Sequence, residues 1–167
     1  AKNSSYMSKE EKNVILFTNL ARINGDLYSR TFVPAFMDKY RLKPSSYSKS
    51  LIRELKKQKE LKVYQSDQLL YSEAKDHAVK SGKRGATGHQ GFDKRYKNVQ
   101  SKFGYFGENC DYGYKLGWEI ATDLLIDEGI KGLGHRKAML NTKYSHVGVA
   151  IADHKKYRVN CVMDFGA

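Results

Sequence analysis

The end of the chain constrains the fold most. Val147, Val149 and Ile151, and then Tyr157, Val159, Cys161, Met163 and Phe165, alternate with other positions on either side of the polar turn Asp153-His154-Lys155-Lys156. In an extended strand every second side chain lies on the same face. Two such runs joined by a short polar turn therefore predict an antiparallel hairpin with one face on a core. The rest of the chain must supply what covers it.

The preceding residues read mainly as helices. Ser8-Lys9-Glu10-Glu11 has the spacing of a capping box, in which a serine hydroxyl and a glutamate satisfy each other's free backbone N–H groups, and Val14, Ile15, Leu16, Leu20 and Ala21 follow. A helix over about 8–24 is expected. A second stretch over 26–40 carries Pro34, which has no N–H and must sit near a helix start or break the segment, and Pro44 ends what precedes it. A third helix is read over 46–61. A fourth covers 66–81, with Leu70, Ala74, His77 and Ala78 on one side and Gly82 as its terminator. Beyond a Gly- and Lys-rich loop over 81–91, the pattern gives a short helix over 92–102, a strand over 105–110, a helix over 114–127, and a second loop through Gly129, Gly132 and Gly134. Helices grouped early and strands late, without regular strand–helix–strand alternation, indicate an α+β fold in which helices cover an antiparallel sheet. With no internal repeat, residues 1–167 read as a single domain, with N-terminal helices over 8–82 and a cleft and sheet region over 83–167.

Composition excludes several classes. Hydrophobic residues make up 40% of the chain and aromatics 12%, which is too apolar for a disordered tail, and no apolar run approaches the ~20 residues of a membrane-spanning helix. Thirty Lys and Arg against 18 Asp and Glu give a net charge of +12, which attracts anionic surface polymers and lipids. The densest basic stretch, Lys49 to Lys62, interleaves carboxylates at helical spacing. It therefore reads as a solvated helix face, and with no recognised nucleic-acid motif no specific nucleic-acid partner is expected. The polar start Ala1-Lys2-Asn3-Ser4-Ser5, without an initiator Met, suits a trimmed chain, so export with a signal or lipid anchor removed is an expectation. Cys110 and Cys161 both fall in strand-like stretches, either as buried thiols or as a bridge across the sheet. A bridge is favoured here; it would close about 50 residues and contribute roughly 3–5 kcal/mol. Their spacing fits neither a redox pair nor a four-cysteine zinc site.

Three short segments carry the candidate chemistry: His89 in Gly88-His89-Gln90-Gly91-Phe92-Asp93, Glu108 in Gly107-Glu108-Asn109, and His135 in Gly134-His135-Arg136. A histidine beside a glycine sits where the chain turns and its ring can face a cleft, which ranks His89 and His135 above His77, His146 and His154. His77 belongs to the inward side of the fourth helix and is expected to pack there with one hydrogen bond. Two imidazoles with a carboxylate suit zinc or another late divalent cation. Each residue also has a purely structural reading: Glu108 capping a turn, His135 starting a helix, His89 bracing its loop. Asn109 and Arg136 are expected to tie loops together. A nucleophile elbow, an H-E-x-x-H zinc motif and a phosphate loop are all missing from the sequence, and neither cysteine has a histidine motif beside it.

The three segments, their order, Asn19-Leu20-Ala21-Arg22 on the first helix, the stretch Leu69 to Gly82 and the ending Val147-Gly148-Val149 with Val162-Met163-Asp164-Phe165-Gly166 resemble the CAP superfamily, the SCP-like extracellular domain, in its bacterial form. The resemblance implies a three-layer α-β-α sandwich with a central, mainly antiparallel sheet, and an extracellular or cell-surface setting. It also implies a cleft of two histidines and two acids, matched here by His89, Glu108, His135 and Asp127, with Glu128 as the alternative to Asp127. The tryptophan usual in the preceding helix is replaced by Leu124 or Leu125. Implied functions are a ligand-binding or interaction module, with a lipid, sterol or protein partner and a divalent cation such as zinc in the cleft. The alternative is a metal-assisted, peptidase-like hydrolase with Glu108 as general base.

Overall fold

The computed structural model describes residues 4–167; residues 1–3 of the polar start lie outside the described part. Its elements in chain order are α1 (Lys9–Ile23), α2 (Gly25–Lys39), α3 (Ser46–Lys57), β1 (Gln65–Ser66), α4 (Gln68–Arg84), α5 (Phe92–Val99), β2 (Phe106–Tyr112), α6 (Gly117–Ile126), α7 (Gly134–Met139), β3 (His146–His154) and β4 (Arg158–Gly166). The C-terminal hairpin is the centre of a four-stranded sheet ordered β1-β3-β4-β2. β2 and β3 both run antiparallel to β4, and only the two-residue β1 pairs parallel, with β3. Helices cover both faces, α1, α2, α3 and α6 on one and α4 on the other, so the architecture is an α-β-α sandwich.

The period-two alternation sorts the strand residues between the layers. Val147, Val149, Cys161, Met163 and Phe165 join the large core with Val14, Ile15, Phe36, Leu51, Leu55, Ile120 and Leu125. Ala150, Val162 and Cys110 face the other way, against Ala74 and Ala78 of α4. That second interface is thin because α4 lies almost on the backbone of β3: a Cβ at Gly148 would stand 2.0 Å from the Tyr71 amide nitrogen, closer than any real contact.

Several boundaries differ from the sequence expectation, each for a visible reason. The capping box at Ser8 forms, with Glu11 N–H donating to the Ser8 hydroxyl and Ser8 N–H to Glu11. α2 runs through Pro34 instead of breaking there. Pro34 and Arg30, whose carbonyl loses its helical partner, both lie on the exposed side of the helix, where water can satisfy the carbonyl. α4 ends at Gly85, which takes the left-handed conformation at φ 68°, and not at Gly82. Gly82 serves a close approach instead, since a Cβ there would meet the Asp153 carbonyl at 2.0 Å.

The expected disulfide does not form: Cys110 and Cys161 are both free and buried. Register explains it. Cys110 lies opposite Val162, and Cys161 opposite Asp111, so the two thiols are offset by one residue and point to opposite faces of the sheet.

Candidate functional site

The edge strand β2 organises the site, because its consecutive residues Glu108 and Asn109 reach opposite faces. On the α4 face, Glu108 receives His89 from the loop between α4 and α5, with Nδ1 donating to Oε1 at 2.7 Å. That loop is clamped at Gly88, whose N–H donates to the Tyr112 hydroxyl at 2.8 Å and whose carbonyl lies 2.9 Å from His77 Nε2. From α5, Arg95 Nε donates to Glu108 Oε2 at 2.7 Å, and Nη2 approaches the same oxygen at 2.5 Å. Burial works to raise the Glu108 pKa. The His89 hydrogen bond and the Arg95 guanidinium outweigh it and hold the carboxyl below its ordinary value. An ionised carboxylate only accepts, so the His89 proton sits on Nδ1 and Nε2 is left as the free ring nitrogen.

On the other face, Asp127 caps the end of α6 in the left-handed conformation, φ 59°. Its Oδ1 accepts from His135 Nδ1 at 2.7 Å, while Oδ2 accepts from the backbone N–H groups of His135 at 3.0 Å and Arg136 at 3.2 Å. Asn109 Nδ2 donates to the His135 carbonyl at 3.0 Å and ties α7 to β2. Arg136 is buried and donates to the carbonyls of Leu125, Ile126 and Tyr47, so Asn109 and Arg136 both do the tying expected of them. Glu128 turns away from His135 and accepts from the Ser45 hydroxyl at 2.5 Å. Asp127 is therefore the acid that holds the second histidine. A cavity of about 210 Å³ beside it is lined by His135, Asp127, Glu128, Asp111 and Asp123.

The four sequence candidates thus form two like-built pairs, His89–Glu108 and His135–Asp127, flanking one edge strand. The His89 side chain is 48% exposed and that of His135 23%, whereas both carboxylates are fully buried. The sequence reading left out several residues that the fold brings to the first pair. His77, 2% exposed, places Nε2 3.8 Å from Glu108 Oε1, and Cys110 Sγ lies 3.8 Å from the same oxygen and 3.8 Å from His89 Nδ1. Among the described residues, His77, Glu108 and Cys110 are the one set of three such donors whose ligand atoms all lie within 4.8 Å of one another. Asp164, opposite Glu108 on β4, has no exposure and no hydrogen-bond partner on either oxygen. Its burial and the Glu108 charge raise its pKa well above the ordinary value. The same influences push the Cys110 thiol far up, so it is no thiolate nucleophile despite the nearby imidazoles. His77 is drawn down, burial outweighing the Glu108 charge, and stays neutral.

Residues 19–165 match the CAP family, the cysteine-rich secretory protein family. The chain belongs to that family. Two solved structures share the CAP fold. An outer surface protein from Borrelia burgdorferi is 20% identical with a TM-score of 0.53, over 64% of this chain and 78% of that one. An extracellular protein containing an SCP domain from Bacillus anthracis str. Ames is 21% identical with a TM-score of 0.52, over 64% of this chain but only 34% of that one. Among curated proteins, none matches the sequence. Among the described residues, no helix is long and apolar enough to cross a membrane.

Proposed function

We propose that this CAP domain is a secreted or surface-exposed interaction module. It binds a lipid, sterol or protein ligand beside strand β2, with a divalent cation on the free nitrogens of His89 and His135 as an adjunct to that binding. The observation that carries the reading is the pairing itself: each histidine is locked by a buried carboxylate on Nδ1, which orients Nε2 outward as a ligand or hydrogen-bond acceptor. The setting is supported by the outer-surface and extracellular proteins that share the fold. A hydrolase using Glu108 as general base is less well supported, because that carboxylate is engaged by Arg95 and His89 and has no exposure to a substrate water.

Co-flotation with sterol-containing vesicles, with and without zinc, tests the reading in wild type and in the His89→Ala/His135→Ala variant. Binding weakened in the variant while its fold is kept is the expected result, and equal binding by both removes the histidines from the ligand site. Zinc-dependent turnover of a peptide or ester panel, abolished by Glu108→Gln, would replace the module with the hydrolase.

A further inference from the structure

We propose that His77, Glu108 and Cys110 bind a zinc ion in a buried site on the α4 face of the sheet, beneath the His89 loop. The site differs from the two surface pairs and shares only Glu108 with them. Zinc on Glu108 Oε1 displaces His89 from that oxygen, so its occupancy competes with the His89–Glu108 pairing.

Three observations lead there. The first is spacing. His77 Nε2 and Cys110 Sγ each stand 3.8 Å from Glu108 Oε1, and all three atoms lie within 4.8 Å of one another. Zinc bonds of about 2.0–2.3 Å in a tetrahedron put ligand atoms roughly 3.3–3.7 Å apart, so the set needs to contract by only a few tenths of an ångström at its two shorter edges. The second is chemistry. One imidazole, one thiolate and one carboxylate form a donor set that zinc prefers, whereas a hard cation such as magnesium would not take the sulfur. The third is burial: His77, Glu108 and Cys110 are all buried, and the Asp164 carboxyl lies opposite Glu108 on β4 with no solvent exposure. Two acids buried side by side repel when both are ionised, and a cation bound to Glu108 offsets that repulsion.

The remaining contacts allow ligation. Arg95 occupies Glu108 Oε2 and leaves Oε1 as the metal-facing oxygen once His89, half exposed, swings outward. Between α4 and α5 lies a cavity of about 220 Å³ lined by His77, Arg95, Gln90, Glu73 and Asp76, which gives an ion a path to the His77 ring. Binding releases the Cys110 thiol proton to solvent as the zinc–sulfur bond forms. His77 moves its own proton from Nε2 to Nδ1 and gives up its hydrogen bond to the Gly88 carbonyl. No oxidation or reduction is involved.

The test loads metal-free protein with cobalt(II), whose bond to a thiolate produces a charge-transfer band in the near ultraviolet, and measures zinc affinity by calorimetry. The expected result is one such band, displaced by zinc, absent in Cys110→Ser and His77→Ala, and retained in Cys161→Ser and His135→Ala. Zinc affinity should fall on the order of a hundredfold in the first two variants. Cys110→Ala, which removes the ligand yet suits the apolar contacts with Ala74, Ala78 and Val162, guards against a folding artefact, with circular dichroism of each metal-free variant as control. No thiolate band, or zinc binding unchanged in Cys110→Ser and Cys110→Ala, overturns the proposal. Binding without a thiolate band that is lost in His89→Ala/His135→Ala would instead place the ion at the surface histidines, so failure of one site is separable from failure of the other.

Discussion

At the residue scale, the acids behind the second histidine pair are the least comfortable groups in the protein. Asp111 is buried with Oδ2 unpartnered, and Asp123 stands beside it. Burial pushes Asp123 up to about 6, with the charges of Asp127 and Glu128 adding to the shift. Its folded pKa therefore lies above the unfolded value of about 3.8. Protonation then favours the folded state: the contribution is fully present below pH ~4 and is lost as pH rises through about 6. Asp123→Asn, which removes the charge and keeps a donor for Asp111, should stabilise the protein at pH 7.5 by on the order of 1–3 kcal/mol and change little at pH 4. Denaturant unfolding at both pH values checks this, and equal effects would exclude a titrating origin. Asp127 has a structural task instead, accepting three hydrogen bonds from His135 and Arg136 at a positive φ. Asp127→Ala should cost about 2–4 kcal/mol in the same assay and free the His135 ring.

At the scale of elements, what was legible in the sequence is what is encoded locally. The capping box at Ser8, the alternation of 147–151 and 157–165 and the helical spacing of 114–127 each depend on residues a few positions apart, and all three elements form. β1 has two residues and no period to read, and α7 is preceded by Leu133 in a left-handed conformation with no capping side chain, so neither announces itself. Of the site, His89, Glu108 and His135 were visible beside their glycines, although Glu108 lies within β2 and His135 in the first turn of α7. The clustering of Cys110 with Glu108 was also available, since residues two apart on a strand share a face and the expected strand over 105–110 contains both. Asp164 and His77 could not be placed there, because only the β2–β4 register and the packing of α4 bring them in. The same register separates the thiols. A reductant should therefore leave Tm unchanged, and thiol titration in denaturant should find two reactive cysteines. A reductant-sensitive Tm would contradict the register. Gly148→Ala tests the packing that positions His77. With Tyr71 N 2.0 Å from the added carbon, α4 must lift from β3, and a loss of about 3 kcal/mol or more is expected in denaturant titration.

At the scale of the whole molecule, the fold makes the exterior more basic than composition suggests. Seven of the 18 acids, Glu11, Asp67, Glu108, Asp111, Glu119, Asp127 and Asp164, are buried, whereas the buried basic residues among those described are Arg22, Arg95 and Arg136. Five of these acids, Glu11, Asp67, Glu108, Glu119 and Asp127, serve caps, ion pairs and the two histidine pairs, and most Lys and Arg remain at the surface without a neutralising neighbour. Such a surface attracts anionic membranes and polymers over a range set by ionic strength, about 10 Å at 0.1 M salt and 3 Å at 1 M. Two modes of association are therefore separable by salt. Binding to anionic vesicles through the surface charge should weaken at least tenfold between about 50 and 500 mM salt and be indifferent to His89→Ala/His135→Ala. Binding through the histidine pairs should lose affinity in that variant and change little with salt, because the carboxylates that orient the rings are buried and poorly screened. Vesicle sedimentation across that salt range, with anionic and with neutral sterol-containing lipid, reads both terms on the same protein. Retention on anionic lipid that survives high salt and falls in the variant would assign the attachment to the cleft and reduce the net charge to a steering role.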